Sequence, residues 1–433
     1  MKIASVKGFH DILPGESARW SWVEDRARDV FARYHFREIR IPILERTELF
    51  TRSIGDTTDI VEKEMYTFVD RDGTSLTLRP EGTAGVVRAY VEHALWQQEP
   101  VSKLYYFGPM FRRERPQKGR LRQFHQVGVE VLGREDPAID AEVLALLHDL
   151  LAACELRRFT IEVNSLGDAA CRPAYREAVR AFGEAHRSEL CENCQRRLER
   201  NPLRLLDCKV ATCAALMAQA PVMEDFWCPG CREHFEAVRR YLDRLHIPYE
   251  LAPQIVRGLD YYVRTAFEVK AEGLGAQNAV GGGGRYDGLV KSLDGPDVPG
   301  IGFALGLERV LLASALAIDE QLAAPLEVFL APLDAEAEQH VLALAHRWRS
   351  QGLKAEVGSA ARSLKSQMRQ ADKCGAPFVL IVGGTELEAG AATVRDMLRK
   401  RDYRHAVSFG WTVPEVRAYL ASLGEQPTAP AQG

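Results

Sequence analysis

KLYYFGPMFRRERPQKGRLRQFHQVGVEVLG, residues 103–133, is the stretch on which the organisation of the chain depends. An apolar, aromatic run at 104–111 is followed by a charged connection and then by a second apolar run at 124–132, a pattern typical of a β-hairpin. The connection at 112–122 holds six basic residues against the single acid Glu114, a net charge of +5. Such a loop is either a solvated surface tip or a binding site for phosphate.

The returning run carries polar groups on one face. Side chains alternate along an extended strand, so Gln126, Gly128 and Glu130 share a face, while the opposite face is largely valine. The Cα atoms of Gln126 and Glu130 are about 13 Å apart on a strand, with the missing side chain of Gly128 between them. A carboxylate buried there costs free energy unless a ligand or partner compensates it. We therefore expect a small polar ligand at this face, which any side chain at Gly128 would obstruct.

Length and composition indicate a globular protein of several domains. At 433 residues the chain exceeds one ordinary core, and two or three domains are expected. With 46% hydrophobic and 27% charged residues and a net charge of −4, nucleic-acid binding would require local basic patches. No apolar run reaches the roughly 18 residues of a membrane span. The first residues lack the apolar core of a signal peptide, so we expect a cytoplasmic protein.

Hydrophobic periodicity predicts alternating helices and strands before residue 170. Residues 15–34 have the spacing of a helix, and 37–44 alternate as a strand. Pro42 cannot donate to a sheet ladder, so this strand should lie at a sheet edge or a subunit boundary. A short strand at 76–80 leads into Glu81, which either faces a cavity or lies in a plain turn. The other elements predicted here are helices at 86–96 and 137–151 and a strand at 159–163.

Residues 170–250 change character and read as an inserted helical subdomain that holds seven of the nine cysteines. Two CxxC pairs in it predict either a tetrahedral structural zinc site or a set of unligated thiols. The 33 residues between the pairs exceed the usual spacing of a zinc ribbon, and further cysteines crowd the segment. The candidate zinc ligands are Cys191, Cys194, Cys228 and Cys231.

Three later segments combine strand character with unusual residues. Strands at 254–270 are interrupted by the polar and aromatic run 257–262. The tract Gly281–Gly284 is either a phosphate-cradling loop or a place of tight turning or close backbone approach. A strand followed by a helix is predicted at 300–316, and Arg309 in the first helical turn lies where an anion is favoured.

From residue 325 onward, strands and helices alternate, which indicates a small α/β domain with a largely parallel sheet. In its predicted helix at 363–373, Lys365 and Arg369 share a basic face, with Leu364, Met368 and Ala371 opposite. That face is either an ordinary surface or a lining for a phosphate backbone. The polar end of the chain is typical of disorder.

Six segments together resemble one family. They are KGFHDILP (7–14), REIRIPILE (37–45), FRRERPQKGRLRQFHQVGVEVLG (111–133), RGLDYY (257–262), GGRYDGL (283–289) and GIGFALGLERVLL (300–312). The second, third and sixth are similar to motifs 1, 2 and 3 of class II aminoacyl-tRNA synthetases. The fourth and fifth are similar to segments peculiar to histidyl-tRNA synthetases.

The resemblance implies an α+β fold, in which an antiparallel sheet flanked by helices forms the class II catalytic domain at 1–326. It places a helical insertion at about 170–250 and an anticodon-binding α/β domain at 327–425, followed by a disordered tail at 426–433. The region around Pro42 would form the interface of a homodimer.

The resemblance also implies the reaction of a histidine–tRNA ligase. ATP, with Mg²⁺, would activate L-histidine to histidyl-adenylate, and the histidyl group would then pass to the 3′ end of tRNA(His). The substrate carboxylate is itself the nucleophile, so catalysis consists of positioning and charge neutralisation. Arg112 and Arg257 would hold the α-phosphate and Arg309 the γ-phosphate, with Glu114 on the adenine side.

Substrate-binding residues are carried over in the same way. Those implied at the α-ammonium of histidine are Glu81, Thr83 and Gln126. Those implied at the imidazole are Glu130 and Tyr262 for its two nitrogens, with Tyr261 and Tyr286 as walls. Those implied to contact tRNA are Gln117 and Lys118 at the loop tip and Lys365 and Arg369 in the last domain.

Two other classes of protein are compared with this interpretation. A catalytically silent relative that senses histidine and regulates ATP phosphoribosyltransferase would lack the last domain and lose the active-site arginines, which this chain retains. A metal-dependent nucleic-acid-binding protein built around the cysteines would leave most of the matched residues unexplained.

Overall fold

The structure is a computed structural model whose chain divides into two compact units, Met1–Gln321 and Leu322–Gly433. The residues it describes are 3–55, 58–117, 119–208, 210–255, 259–275, 278–321 and 326–425.

In the first unit, the helices of the described residues are α1 (Glu16–Arg33), α2 (Thr47–Ile54), α3 (Thr83–Glu92), α4 (Pro137–Ala153), α5 (Arg172–Ala185), α6 (Glu192–Arg200), α7 (Ala211–Met217), α8 (Pro229–Leu245), α9 (Leu289–Ser292) and α10 (Leu307–Gln321). The strands are β1 (Arg37–Glu38), β2 (Leu44–Arg46), β3 (Tyr66–Val69), β4 (Ser75–Leu78), β5 (Ser102–Phe111), β6 (Gln123–Leu132), β7 (Phe159–Ser165), β8 (Glu250–Leu251), β9 (Val263–Ala271), β10 (Ala279–Arg285) and β11 (Gly300–Gly306).

The central sheet has the strand order β1-β5-β6-β11-β10-β9-β7-β8. Its inner pairs are antiparallel, whereas β1 with β5 and β7 with β8, at the two edges, are parallel. The predicted hairpin is confirmed as β5 and β6, which pair in register from Ser102 opposite Leu132 to Phe111 opposite Gln123. Helices α1, α4 and α10 pack together, and α10 also contacts β6 and β11. The predicted antiparallel sheet flanked by helices is thereby confirmed.

The single strand predicted at 37–44 is wrong. Its ends belong to different sheets, because β1 pairs with β5 in the central sheet and β2 joins β4 and β3 in a separate small sheet. Pro42 has no N–H for a ladder. The carbonyl groups of Ile41 and Pro42 instead accept hydrogen bonds from Nη1 of Arg79, at 2.8 and 3.3 Å. The expectation of an edge position is met by β1.

The four glycines 281–284 lie within β10, in the interior of the sheet. A Cβ atom on Gly281 would lie 2.3 Å from the carbonyl oxygen of Ala304, and one on Gly283 would lie 2.0 Å from that of Gly302. The glycines therefore permit close approach of neighbouring backbones, which is one of the alternatives that the sequence left open. They do not form a loop ahead of a helix.

The predicted insertion consists of α5 to α8 and short 3₁₀ turns. Its core is small and rich in sulfur. Its buried residues are Tyr175, Val179, Leu190, Leu198, Leu205, Leu216, Met217, Ala220, Met223 and the cysteines 171, 194, 208, 213 and 231.

In the second unit, the described strands are β12 (Val328–Pro332), β13 (Ala355–Val357), β14 (Phe378–Val382), β15 (Ala391–Asp396) and β16 (Arg401–Ser408), and the helices are α11 (Ala335–Ser350), α12 (Leu364–Lys373), α13 (Gly384–Ala389) and α14 (Val413–Glu425). The sheet order is β13-β12-β14-β15-β16, and the core surrounds the fully buried Trp348.

Two expectations for this unit need correction. The sheet is mixed, because β12, β13 and β14 run parallel whereas β14 with β15 and β15 with β16 are antiparallel. The strand β16, rich in charged residues, was missed. In α12, Leu364 is exposed and Gln367 is buried, where its amide donates to the carbonyl oxygen of Pro332 at 2.7 Å. A buried amide whose nitrogen donates to two backbone carbonyl groups, of Pro332 and Arg362, thus replaces part of the expected apolar stripe.

Helices long and apolar enough to span a membrane are absent from the described part of the chain.

Candidate active site

A cavity of about 390 Å³ opens between the β5–β6 connection, α3, the inner strands β9 to β11 and the insertion. It collects residues from three of the six resembling segments, 111–133, 257–262 and 300–312. Its polar and aromatic lining residues include Glu64, Glu81, Thr83, Arg112, Glu114, Arg120, Phe124, Gln126, Arg204, Tyr261, Tyr262, Glu268, Glu308 and Arg309. A larger cavity of about 700 Å³ lies beside it, between α5 and the segment around Leu259, and shares the lining residues Arg204, Leu259 and Tyr262.

The hairpin connection folds over one end of the cavity. Nε of Arg112 donates to the carbonyl oxygen of Pro80 at 2.9 Å, and its guanidinium lies 5.3 Å from the ring centre of Phe124. These two contacts hold the remaining nitrogens of Arg112 towards the cavity. Glu114 lies 3.4 Å from Nη1 of Arg120 and 3.9 Å from Nη1 of Arg112, so it links two cations of the loop.

Arg309 supplies a further cation from α10. It is only 7% exposed, and its Nε donates to the carbonyl oxygen of Ala279 at 2.5 Å. Burial lowers the pKa of Arg309, and the nearby charge of Arg120 lowers it further. Two guanidinium groups held close together in this way favour an anion between them.

Glu81 caps the start of α3 from the floor of the cavity. Its carboxylate accepts the backbone N–H of Thr83 at 2.6 Å and that of Ala84 at 2.8 Å. Burial raises the pKa of Glu81, while the two N–H donors act in the opposite direction. Glu81, between Pro80 and Gly82, therefore faces the cavity and does not lie in a plain turn, which was one of the two alternatives that the sequence left open.

Glu130 lies deeper, behind the cavity lining. It is fully buried and accepts hydrogen bonds from the hydroxyls of Thr83, at 2.7 Å, and Tyr286, at 2.5 Å. Burial raises the pKa of Glu130 to about 8, although both hydroxyl donors favour the ionised form. Thr83 therefore connects the two carboxyl groups, because its N–H faces Glu81 and its hydroxyl faces Glu130.

Two polar atoms in the cavity wall have nothing to bind. The amide oxygen of Gln126 and the hydroxyl of Tyr261 are buried without a hydrogen-bond partner among the described residues. Tyr261 packs against Tyr262 and Tyr286, with ring centres 4.7 and 5.8 Å apart. Buried polar groups normally have partners, so unpaired ones facing a cavity indicate a polar ligand.

The space at Gly128 is not part of the cavity, which corrects the expectation from the strand pattern. Tyr106, the cross-strand neighbour of Gly128, fills it. A Cβ atom on Gly128 would lie 2.3 Å from Cζ of Tyr106, and one on Gly82 would lie 2.2 Å from the same ring. Glycine is needed here to seat an aromatic ring from the adjacent strand. Gly302 likewise leaves space for the carboxylate of Glu130, because a Cβ atom on Gly302 would lie 2.0 Å from Oε2 of Glu130.

The structure thus gathers most of the predicted site residues, and the others lie as follows. Tyr286, only 1% exposed, lies with Glu130 behind the described lining residues. Gln117 is exposed at the loop tip, where it exchanges backbone hydrogen bonds with Arg120. Lys365 and Arg369 are exposed on α12. The predictions for Lys118 and Arg257 fall outside the described residues.

Several lining residues were missed by the sequence reasoning. Arg120 was counted only as part of the charge of the loop. Glu268 lies on β9, where the alternation of side chains along the strand could have indicated that it faces the cavity. Glu308 accepts the backbone N–H of His125 at 2.9 Å and so joins α10 to β6. Arg204 reaches the cavity from the insertion, and no local signal announces it.

The candidate zinc ligands do not form one set. Cys191 and Cys194 lie with Cys208 and Cys213, whereas Cys228 and Cys231 lie with Asp168 and Cys171. Each set has all of its ligand atoms within 4.8 Å of one another. The prediction paired the two CxxC motifs with each other, but the fold gives each of them different partners.

Comparisons with known proteins agree with this arrangement. The family model described as histidyl-tRNA synthetase matches residues 8–310, and the anticodon binding domain matches 327–417. A histidine–tRNA ligase of Geobacter metallireducens is 54% identical over 395 residues, which cover 91% of this chain and 95% of that protein. The crystal structure of the apo histidyl-tRNA synthetase of S. aureus is 39% identical, with a TM-score of 0.77 over 93% of this chain and 97% of that one.

Proposed function

The chain belongs to the histidyl-tRNA synthetase family, and from this premise we propose how its residues carry out the reaction. It is a histidine–tRNA ligase, an enzyme that joins L-histidine to tRNA at the expense of ATP. The observation that carries the assignment of residues is the single cavity to which the hairpin, α3, the Tyr261–Tyr262 pair and the start of α10 all contribute.

We propose that the cationic end of the cavity binds the triphosphate. Arg112 would hold the α-phosphate, because its guanidinium is already oriented by Pro80 and Phe124 and offers a planar fork to two oxygens. Arg309 would hold the γ-phosphate, and Arg257 would approach the α-phosphate from the other side. Glu114 would lie near the adenine. Charge neutralisation by prepositioned groups lowers the barrier to attack by the histidine carboxylate.

ATP would bind together with Mg²⁺. The carboxylates of Glu268 and Glu308 line the same cavity as the arginines, and hard oxygen ligands of this kind suit the ion. Mg²⁺ usually takes one or two carboxylates and completes its shell with phosphate oxygens and water, so two acids in the wall fit its needs. These residues would hold the ion, which supplies further charge neutralisation on the phosphates when bound.

The polar end of the cavity would bind histidine. Glu81, Thr83 and Gln126 are proposed at the α-ammonium, and the unpaired amide oxygen of Gln126 supports this because it lacks a donor. Glu130 and Tyr262 would pair with the imidazole nitrogens. Other amino acids would leave these groups unpaired, which costs roughly 10⁴-fold in discrimination. Tyr261 and Tyr286 would form the aromatic walls.

Domain roles follow the same division of the chain. We propose that residues 1–326 form the catalytic domain, with the insertion at about 170–250, and that 327–425 form the anticodon-binding domain. Separate family matches at 8–310 and 327–417 support this. Contacts of tRNA with Gln117, Lys118, Lys365 and Arg369 are supported by the exposure of the described members on their elements.

The enzyme would act as a homodimer. One face of the small sheet β2-β4-β3 is apolar and partly exposed, with Leu44 at 39% and Phe68 at 46%. Exposed apolar faces of this kind mark interaction surfaces. The face adjoins the region of Pro42, where the dimer interface was expected. A cytoplasmic location is proposed because the nine free cysteines suit a reducing compartment.

Histidine-dependent exchange of pyrophosphate into ATP tests the assignment. The Arg112→Ala variant should lose about 10²- to 10³-fold in exchange rate, the usual effect of removing one prepositioned donor. The Arg113→Ala variant is the matched control, because Arg113 is exposed and lies outside the described cavity lining. Equal rates for the two variants would refute the phosphate role of Arg112. A wild-type protein without exchange activity would support the regulatory alternative.

A further inference from the structure

We propose that the helical insertion binds two metal ions, each at its own four-ligand site, and that the ions are zinc. Site A is defined by Cys191, Cys194, Cys208 and Cys213. Site B is defined by Asp168, Cys171, Cys228 and Cys231. This inference does not depend on the proposed function, because it rests on the ligand groups alone.

Interatomic distances in both sites match a tetrahedral zinc centre. Ligands 2.3 Å from a zinc ion at tetrahedral corners lie about 3.8 Å from one another. The sulfurs of Cys191 and Cys208 are 3.8 Å apart in site A, and those of Cys171 and Cys231 are 3.8 Å apart in site B. A disulfide needs about 2.05 Å, so these pairs are not oxidised cystines.

Site B includes an oxygen ligand at a suitable distance. Oδ1 of Asp168 lies 3.5 Å from the sulfur of Cys171 and 3.8 Å from that of Cys228. Zinc–oxygen bonds are about 2.0–2.2 Å, shorter than zinc–sulfur bonds, so a slightly shorter edge to the carboxylate is expected. Asp168 also accepts the backbone N–H of Ala170 at 3.0 Å, which holds its carboxylate at the edge of the three sulfurs.

The two CxxC motifs have the same local geometry. Cys191 and Cys228 each precede a helix, α6 and α8, with nearly equal backbone angles of φ −66° and −65° and ψ 160°. Cys194 and Cys231 lie in the first turn of these helices. Helix N-termini favour negative charge, so each motif places two sulfurs where the charge of metal-bound thiolates is offset in part.

Backbone N–H groups also point at the sulfurs. The N–H of Cys191 donates to Sγ of Cys213 at 3.0 Å, and that of Asp168 donates to Sγ of Cys171 at 3.3 Å. Hydrogen bonds of this kind orient metal ligands and compensate the charge of thiolates. In site B, Nη2 of Arg264 lies 3.7 Å from Asp168, which offsets part of the net negative charge of three thiolates and a carboxylate around one divalent cation.

Ligand spacing agrees with this grouping. In site A, 13 residues separate Cys194 from Cys208, close to the usual interval of zinc sites, whereas 33 separate the two CxxC motifs. Thiolate-rich tetrahedral sites select zinc over the harder divalent cations. The sites hold seven of the nine cysteines, and five of these seven belong to the small core of the insertion. Metal binding would therefore supply cross-links that this core otherwise lacks.

Site B also lies next to the proposed histidine pocket. Asp168 follows β7, and Cys171 precedes α5, whose first residue Arg172 donates from Nη1 to the carbonyl oxygen of Tyr262 at 3.0 Å. An ion at site B would thus fix α5 and α8 to the end of β7, beside the wall that Tyr262 provides. Loss of site B should consequently disturb the pocket more than loss of site A.

Metal analysis of the full-length enzyme tests the proposal. Protein produced with zinc in the medium, without a metal-binding tag, and purified without chelator should contain two zinc ions per chain by plasma mass spectrometry. Zinc-edge X-ray absorption should find seven sulfur ligands and one oxygen ligand shared between the two ions. Wild-type enzyme without zinc would overturn the proposal, even if every variant failed to fold. Another metal in stoichiometric amount would overturn the identity of the ion.

Variants separate the two sites. Cys208→Ser with Cys213→Ser should retain one zinc ion, with an average environment that includes oxygen, and Asp168→Ala with Cys171→Ser should retain one bound by four sulfurs. Cys154→Ser and Cys374→Ser are matched controls that should retain both ions, because these thiols belong to neither site. One zinc ion per chain in the wild type, retained after loss of Cys208 and Cys213, would refute site A and favour a single site at the two CxxC motifs.

Discussion

Glu130 is a carboxyl group with no exposure to water, and its environment makes its charge depend on pH near neutrality. Burial raises its pKa from the ordinary 4.5 to about 8, so at pH 7 most of the free enzyme holds a proton on this group. Two hydroxyl groups, from Thr83 and Tyr286, already donate to its oxygens. If an imidazole N–H also donates to it, the bound state requires the ionised form. Histidine binding must then expel a proton.

Affinity for histidine should therefore rise with pH. Between pH 7 and 8.5 the ionised fraction of an acid with a pKa of 8 increases about eightfold, so KM for histidine should fall by about that factor. Substrate imidazole is already mostly neutral over this range. The Glu130→Gln variant should have a higher KM that lacks this pH dependence. Because the α-ammonium of histidine titrates in the same way in both assays, the variant is also the control for that titration. KM curves that run parallel in wild type and variant would exclude Glu130 as the titrating group.

The place of a single residue in the cavity could be predicted where both its residue type and its position in an element pointed to a binding site. Arg112, Glu81 and Gln126 were found from a basic loop, an acid at a strand end and the alternation of a strand. Tyr106 was not, because it appears in sequence as one aromatic among several in an apolar run. Only the register of β5 against β6 places its ring on Gly128.

At the scale of elements, a buried polar network joins helices to the sheet. Nε of Arg285, at the end of β10, donates to Asp140 of α4 at 2.8 Å, and Nε2 of His234 in α8 faces the other oxygen of Asp140 at 2.9 Å. Arg285 also donates to Asp287 at 2.8 Å. Arg285 and Asp140 are fully buried, so the GGRYDGL segment contributes an arginine to the scaffold and a tyrosine that donates a hydrogen bond to Glu130.

Removing Arg285 should destabilise the first unit severely. Arg285→Ala removes the guanidinium from the buried carboxylate of Asp140 and leaves it only the ring of His234, and breaking a buried ion pair in this way costs about 3–5 kcal/mol in free energy of unfolding. Urea denaturation followed by circular dichroism measures this. Arg52→Ala is the control, since it breaks an exposed pair with Asp294 and should cost less than about 1 kcal/mol. A loss of similar size in both variants would argue against the buried network as a structural element.

Most elements could be predicted from periodicity, and the errors have local causes. Residues 37–44 alternate like one strand, yet the side chain of Arg79 takes up the carbonyl groups at Ile41 and Pro42. The strand β16 was missed because its sequence, RDYRHAVS, is largely charged. An edge strand with exposed side chains needs little apolar character, so its pattern resembles that of a loop.

At the scale of the whole molecule, the apolar face of β2-β4-β3 predicts self-association. Sedimentation should give twice the chain mass of 48.4 kDa for the wild type. Leu44→Glu with Phe68→Glu places two charges on that face and should shift the species to a single chain, because burying unpaired charge at an interface is unfavourable. The control Leu398→Glu changes an isolated, 85% exposed leucine and should leave the mass unchanged. A wild type that sediments as a monomer at micromolar concentration would refute the dimer.

The sequence by itself determined the family, because its motifs are residue types at short, regular spacing, and the resemblance implied the reaction and eight of the residues that line the cavity. Only the tertiary structure decided how distant residues are grouped. It placed Arg204 of the insertion in the cavity, seated Tyr106 on Gly128, and divided the cysteines between two candidate sites. Local periodicity reports the direction of a side chain within its own element. The partner of that side chain depends on how the elements pack, and spacing along the chain does not record it.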